Sequence, residues 1–265
     1  VEDKDPSIWM MSAAAISGLL TGLAAGLIGV GGGEFRIPIL LYILGLPITS
    51  AVAVNLLIGL FTVAASSIMR LRVGLLEGGA IDTALAMSLT SVVGSYVGAA
   101  STGRVEPRLL KRVLAVFLVA IGVKIGLEPF MEVSQPMEIG FSPLEEAILA
   151  AVIGLLIGVA SGMLGVAGGE LRIPALIYIF GQDIRVAGTT SLLISIPTVA
   201  TGLIKHQRMR HMGGGAAKIA AIMGAASILG ASIGAQQAVL IEKDILKMLL
   251  SAILIMATVR MVTKP

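Results

Sequence analysis

The sequence predicts an all-α integral membrane protein of two homologous, inverted repeats, each with a glycine-rich broken or re-entrant helix. Three observations lead there: long apolar runs, a repeat at fixed spacing, and a glycine–proline break that recurs at the same place in each repeat. Of the 265 residues, 56% are hydrophobic and 13% are charged, whereas a soluble domain carries about 25% charge.

The apolar runs are Ile8–Val30, Ser50–Met69, Thr83–Gly103, Val113–Val123 with its flanks, Ala147–Gly169, Val186–Ile204, Ile219–Ile241 and Leu249–Val259. Uncharged stretches of about 18 or more residues read as membrane helices. A soluble helix would show a polar face at helical spacing, and these show almost none. With the short pieces after each break they make about eight to ten membrane helices or half-helices. Ile8–Leu20 has acidic Glu2, Asp3 and Asp5 before it where a signal peptide has a basic leader. It therefore reads as the first helix of the mature protein.

Several function classes fall away. The chain has no cysteine, so disulfides, thiolate metal sites and thiol redox chemistry are excluded. His206 and His211 lie in a basic loop without further His or Cys ligands, which gives no zinc site. No sustained basic face points to nucleic acid, and no motif points to nucleotide hydrolysis or a cofactor. An intramembrane enzyme finds no Ser–His, metal or paired-aspartate constellation.

Sliding the chain by 136 residues places Gly18–Ile43 on Gly154–Ile179, with 17 of 26 positions identical. The register continues without a gap: Gly94 falls on Gly230, Gly98 on Gly234 and Glu106 on Glu242. The predicted organisation is a first membrane repeat over 1–127, an extracytoplasmic linker over 128–143 and a second repeat over 144–265. Loop charge argues for inversion. In the first half the richer loop is 104–112 (Arg104, Arg108, Lys111, Arg112), against Arg70 and Arg72 in 70–77. In the second half the richer loop is 205–211. Opposite bias in equivalent loops places 104–112 and 205–211 in the cytoplasm and the linker outside. Inversion needs an odd number of crossings per half. The piece Ile37–Leu46 is too short to span alone and reads as a broken or re-entrant element, or as one that tilts into its neighbours.

Each break carries its own chemistry. Gly29-Val-Gly-Gly-Gly-Glu-Phe-Arg-Ile-Pro38 and Gly165-Val-Ala-Gly-Gly-Glu-Leu-Arg-Ile-Pro174 unwind a helix at the glycines and restart one near each proline. Unpaired backbone at membrane depth belongs beside a cavity or inside protein. A helix restarting there aims free N–H groups and partial positive charge at an anion. The candidate ligands are Gly32, Gly33, Gly168 and Gly169 through their backbone, and Arg36 and Arg172 through a guanidinium fork that matches sulfonate, sulfate or carboxylate oxygens. Asn55, Thr190 and Ser191 follow as hydrogen-bond donors to the same anion. The blander readings are that each Glu–Arg pair neutralises itself and that the hydroxyls cap or back-bond. Glu34 and Glu170 are candidate proton carriers; in a second reading they line a cation pathway while the arginines lock the loops. Gly18/Gly22/Gly26, Gly154/Gly158/Gly162, Gly94/Gly98 and Gly230/Gly234 are packing ladders.

The paired G-x-G-G-G-x-x-x-x-P breaks, the Gly-Thr-Thr-Ser stretch after Ala187 and the duplicated chain resemble the TauE/SafE sulfite-exporter family of 4-toluene sulfonate uptake permease-like membrane transporters. The resemblance implies movement of sulfur-containing anions such as sulfite, sulfonates or sulfoacetate-like compounds, commonly outward. Ala167 departs from the three-glycine pattern, so the two halves are not expected to contribute equally. The expectation is a secondary transporter of the cytoplasmic membrane that exports a small anion by alternating access. Its expected partners are that anion, the bilayer, protons if the glutamates couple, and, in one alternative, a second copy of the chain as a homo-oligomer. A non-transporting membrane scaffold is the remaining alternative.

Overall fold

The structure is a computed structural model that describes residues 6–101, 107–131, 141–207 and 214–263. Every described element is helical. The first half holds α1 (Ile8–Ile28), α2 (Gly33–Pro38) running into a π-helical turn (Ile39–Ile43), α3 (Ile48–Arg72), α4 (Gly78–Ser101) and α5 (Pro107–Leu127). A short 3-10 turn, Glu128–Phe130, leads to the second half. There, α6 (Pro143–Leu164), α7 (Gly169–Tyr178), α8 (Ile184–Gln207), α9 (Gly214–Leu240) and α10 (Lys243–Thr263) repeat the order. Among the described residues, six helices are long and apolar enough to cross a membrane: α1, α3, α4, α6, α8 and α9. Large apolar side chains on their outer faces, among them Ile16, Leu20, Leu89, Leu156 and Leu229, are exposed. In water such a surface would be untenable; in lipid it costs nothing. The chain is a multi-pass membrane protein.

The helix boundaries follow from the local sequence. Ser7 caps α1 by accepting from Met10 N at 3.3 Å. Ser142 and Glu145 form a reciprocal capping box with Pro143 in the first turn of α6. Both helices end on a left-handed glycine, Gly29 (φ 100°) and Gly165 (φ 68°).

The two halves interlock. Helix α1 packs chiefly on α9 of the other half, and α6 on α4. Glycines make this closeness: a Cβ on Gly22 would run into the Ser227 carbonyl, and one on Gly158 into Ser91 backbone. Both pairs are parallel, since Gly18, Gly22 and Gly26 meet Met223, Ser227 and Ala231 in order, and Gly154, Gly158 and Gly162 meet Met87, Ser91 and Ser95. With no hydrophobic drive between helices in lipid, such small-residue seams provide the van der Waals contact that holds a bundle together.

Equivalent helices that touch run in opposite directions. Arg70, at the end of α3, reaches Thr189 and Arg185 at the start of α8. In the α5–α10 pair, Gly126 faces Ser251 and Gly122 faces Leu254.

The short element is also resolved. Chain direction reverses at Gly29–Gly32, because Gly32 lies against Thr21 while Leu40 and Leu44 pack with Ala14 and Met223 further down α1 and α9. The eleven residues Gly33–Ile43 cover about 16 Å at 1.5 Å per residue. One expectation needs correction. The broken helices restart at Gly33 and Gly169, and Pro38 and Pro174 sit inside them. Left-handed Gly32 (φ 73°) and Gly168 (φ 76°) begin the helices, so the prolines merely remove one hydrogen bond each. In the first half that loss coincides with the opening into the π turn, closed by Leu44 N to Ile39 O at 2.9 Å.

Candidate functional site

The two breaks meet at the centre of the molecule. Gly29 lies on Gly188, Gly169 lies on Val30, and Gly31 leaves the space that the Ala167 methyl fills. The two charged pairs brought in by the breaks are fully inside: Arg36 and Arg172 have no exposed surface, and Glu34 and Glu170 are 5% exposed each.

Equivalent by sequence, the arginines are held differently. Arg36 Nε donates to Asn55 Oδ1 at 3.1 Å and Nη2 to the Gly31 carbonyl at 2.7 Å. Its Nη1 donates to Thr62 and Ser227 hydroxyls, both at 3.3 Å. Asn55 in turn donates Nδ2 to the Gly165 carbonyl at 3.0 Å, so it ties the first arginine to the second break. Gly33 leaves the room that the Asn55 amide occupies.

Arg172 Nη1 donates to Ser195 Oγ at 2.6 Å and to the Ser191 carbonyl at 3.4 Å. Its Nε and Nη2 have no hydrogen-bond partner, nor do the buried hydroxyls of Thr190 and Ser191. Gly168, whose missing side chain would sit 3.4 Å from Nη2, borders this unused edge. The hydrogen bonds of both arginines go to amide, hydroxyl and carbonyl groups. Of the sequence-predicted residues, Gly32, Gly33, Gly168, Gly169, Asn55, Thr190 and Ser191 all come to this seam. Thr190 and Ser191 lie in the second turn of α8, past the capping positions.

Sequence reasoning missed Arg70. Counted there as a loop cation, it lies within α3 with no exposed surface. Its Nε and Nη2 donate to the Gly26 and Leu27 carbonyls at 2.9 and 2.8 Å. Its Nη1 donates to the Arg185 carbonyl at 2.8 Å and to Thr189 Oγ1 at 3.0 Å. It thus fastens the end of α1, just before the first break, to the start of α8 in the other half. Arg36, Arg70 and Arg172 are the three largest fully buried side chains described. The signal available in sequence was an arginine directly after the apolar run Ser50–Met69 and followed by a further apolar residue, Leu71. The basic loops 104–106 and 208–211, and most of the linker, lie outside the described residues. Among the described residues no group of His, Asp or Glu is arranged to hold a metal ion.

A membrane-embedded bundle of duplicated halves, with two broken helices abutting at its centre around buried charges, has the build of a membrane transporter. The sulfite exporter TauE/SafE family model matches residues 2–125 and 138–265, and the chain belongs to that family. Among its relatives, a probable membrane transporter protein of Sinorhizobium, ORF9, is 27% identical over 97% of this chain and 92% of its own length. The probable membrane transporter protein YdhB of Bacillus subtilis is 28% identical over 71% of this chain and 75% of its own length. No solved structure matches the chain significantly.

Proposed function

We propose that the protein is a secondary transporter that exports a small sulfur-containing or organic anion by alternating access, the anion bound between the two breaks. The observation that carries the reading is the pair of buried arginines at a seam where both broken helices meet. Charge held at membrane depth is expensive and belongs to substrate or ion pathways. The family's description as sulfite exporters supports an anion.

In this reading the halves, 1–127 and 144–265, are inverted across the membrane, joined by an outside linker at 128–143. Support comes from the antiparallel course of α3 against α8 and of α5 against α10. The burial of Arg70 leaves Arg72 as the cation of the 70–77 loop, which widens the charge bias toward a cytoplasmic 104–112. Rearrangement of the broken helices at the seam then exposes the site to each side in turn.

Glu34 and Glu170 supply the coupling. Both are buried in the breaks, where a carboxyl is costly and belongs to an ion or proton pathway, and one of them takes up or releases a proton in step with the anion.

Purified protein in proteoliposomes tests the reading, with sulfite, sulfate, thiosulfate, sulfonates and carboxylates as cargo. At least one should cross faster than in protein-free vesicles, and its flux should respond to an imposed pH gradient. If none crosses, the transporter reading fails for these anions; flux indifferent to pH removes the glutamates' role alone.

A further inference from the structure

We infer that the anion docks on Arg172 alone, through the Nε–Nη2 edge of its guanidinium, while Arg36 is a positioning residue that shapes the seam. The inference rests on the anion-transport reading and assigns its ligand to one half.

The argument begins with one sequence difference. Asn55 and Ser191 occupy equivalent positions, 136 residues apart. The Asn55 carboxamide is long enough to place Oδ1 on Arg36 Nε, and the Gly31 carbonyl takes Nη2. Those two nitrogens form the side of a guanidinium that presents parallel N–H groups, the edge used for bidentate binding of an oxyanion. In the first half that edge is filled by the protein itself. In the second half Ser191 has two fewer side-chain heavy atoms and engages Arg172 only through its backbone carbonyl, at Nη1. The carbonyl of Ala167, equivalent to Gly31, accepts from Ser195 at 3.5 Å. The same edge of Arg172 has no partner.

A second observation points the same way. Ser191 Oγ and Thr190 Oγ1, one residue from the carbonyl that holds Nη1, are buried hydroxyls that also lack partners. The equivalents of Thr190 and Ser191 in the first half are Val54 and Asn55. A buried charged edge and hydroxyl donors without acceptors are costly, and an acceptor-only ligand satisfies them. The fitting chemistry is an anion with at least two oxygens on one central atom: sulfite, a sulfonate or a carboxylate. Gly168 borders Nη2, with Ser161 and Ile157 packed against the same position.

Two substitutions test this, with thermal shift and titration of the detergent-purified full chain. The probes are sulfite, methanesulfonate and acetate, with chloride as the monatomic control. Arg172→Lys keeps the charge and removes the fork; Ser191→Asn gives the second half the carboxamide that fills the first. Each should weaken the probe's Kd by about tenfold or more, while Ser191→Asn keeps or raises the unliganded Tm. Arg36→Lys should lower Tm and leave the Kd of the folded fraction within about threefold. The inference is overturned if both second-half variants bind like the native chain, or if binding goes with Arg36 and survives Arg172→Lys. In either case an anion still binds and the transporter reading stands. If no two-oxygen probe stabilises the native chain beyond chloride, the inference fails, and vesicle flux then decides the transport reading separately.

Discussion

The two breaks share ancestry, backbone course and a buried Glu-x-Arg, yet one is a finished hydrogen-bond network and the other is not. Arg36 spends every nitrogen on protein acceptors, drawn from α3, α9 and its own break. Arg172 uses one nitrogen on α8 and leaves two unmatched. Two side-chain changes contribute, Asn55 against Ser191 and Gly59 against Ser195. Placement contributes too, because the Ala167 carbonyl and Thr198, the equivalents of Gly31 and Thr62, bond elsewhere and not to Arg172.

The sharpest way to break this comparison is to remove each arginine. Arg36→Met would leave Asn55 Oδ1 and the Gly31 carbonyl buried without their donor. A loss of about 3–5 kcal/mol is expected, as for breaking a buried charged network. Arg172→Met strands only Ser195 and the weak contact at Ser191, so its cost should be visibly smaller. Equal losses in reversible denaturation in detergent would show that the networks are energetically alike. Arg70→Met belongs beside Arg36→Met. It releases the Gly26, Leu27 and Arg185 carbonyls, and unsatisfied buried groups cost about 1–3 kcal/mol each.

The glycine positions offer a second contrast. Gly31 has φ 90° and faces the Ala167 methyl, whereas the matching position in the second break already carries that methyl. Gly31→Ala should cost about 1–3 kcal/mol from backbone strain, plus the collision. Ala167→Gly should cost about 1 kcal/mol. The double exchange relieves the collision and keeps the strain, so it should recover only part of the loss. Full recovery, read as Tm, would mean that the left-handed backbone at residue 31 is not what requires glycine.

Most of the fold was legible because its causes are local. Apolar runs set the spans, the glycines of each break mark helix ends, and the 136-residue register exposes the duplication. What escaped depended on partners far away in sequence. The Arg36 network uses Ser227, 191 residues on, and nothing near Arg36 announces it. Arg70 escaped because adjacent helical positions differ by about 100° in facing: Arg70 points inward while Leu71 and Arg72 face out. The proline was read as a helix start because that is its commonest use, and the left-handed glycines six residues earlier took that role instead.

The far ends of the broken helices differ too, and there the smallest effect is expected. In α7 the regular helix reaches Tyr178, whose hydroxyl donates to Glu128 at 2.6 Å; in the first half the chain has already opened into its π turn by Tyr42, which is 57% exposed. Glu128 also pairs with Lys247 at 3.1 Å and Lys124 at 3.3 Å, and Lys124 lies over the Tyr178 ring. Burial alone would push the Glu128 carboxyl up, but the hydrogen bonds from Tyr178, Lys247 and Lys124 outweigh it and hold it below the usual glutamate range. A group whose pKa is lower folded than unfolded stabilises the fold above its unfolded pKa. That contribution is lost as pH falls through the ordinary glutamate range toward the depressed folded value. Glu128→Gln should therefore lower Tm slightly at neutral pH and remove part of the native chain's decline on acidification. Because Lys124 is largely exposed and Lys247 partly so, solvent and salt screen much of the effect. If the variant's Tm falls as steeply with acid as the native chain's, the Glu128 brace does not distinguish the end of α7 from the end of α2.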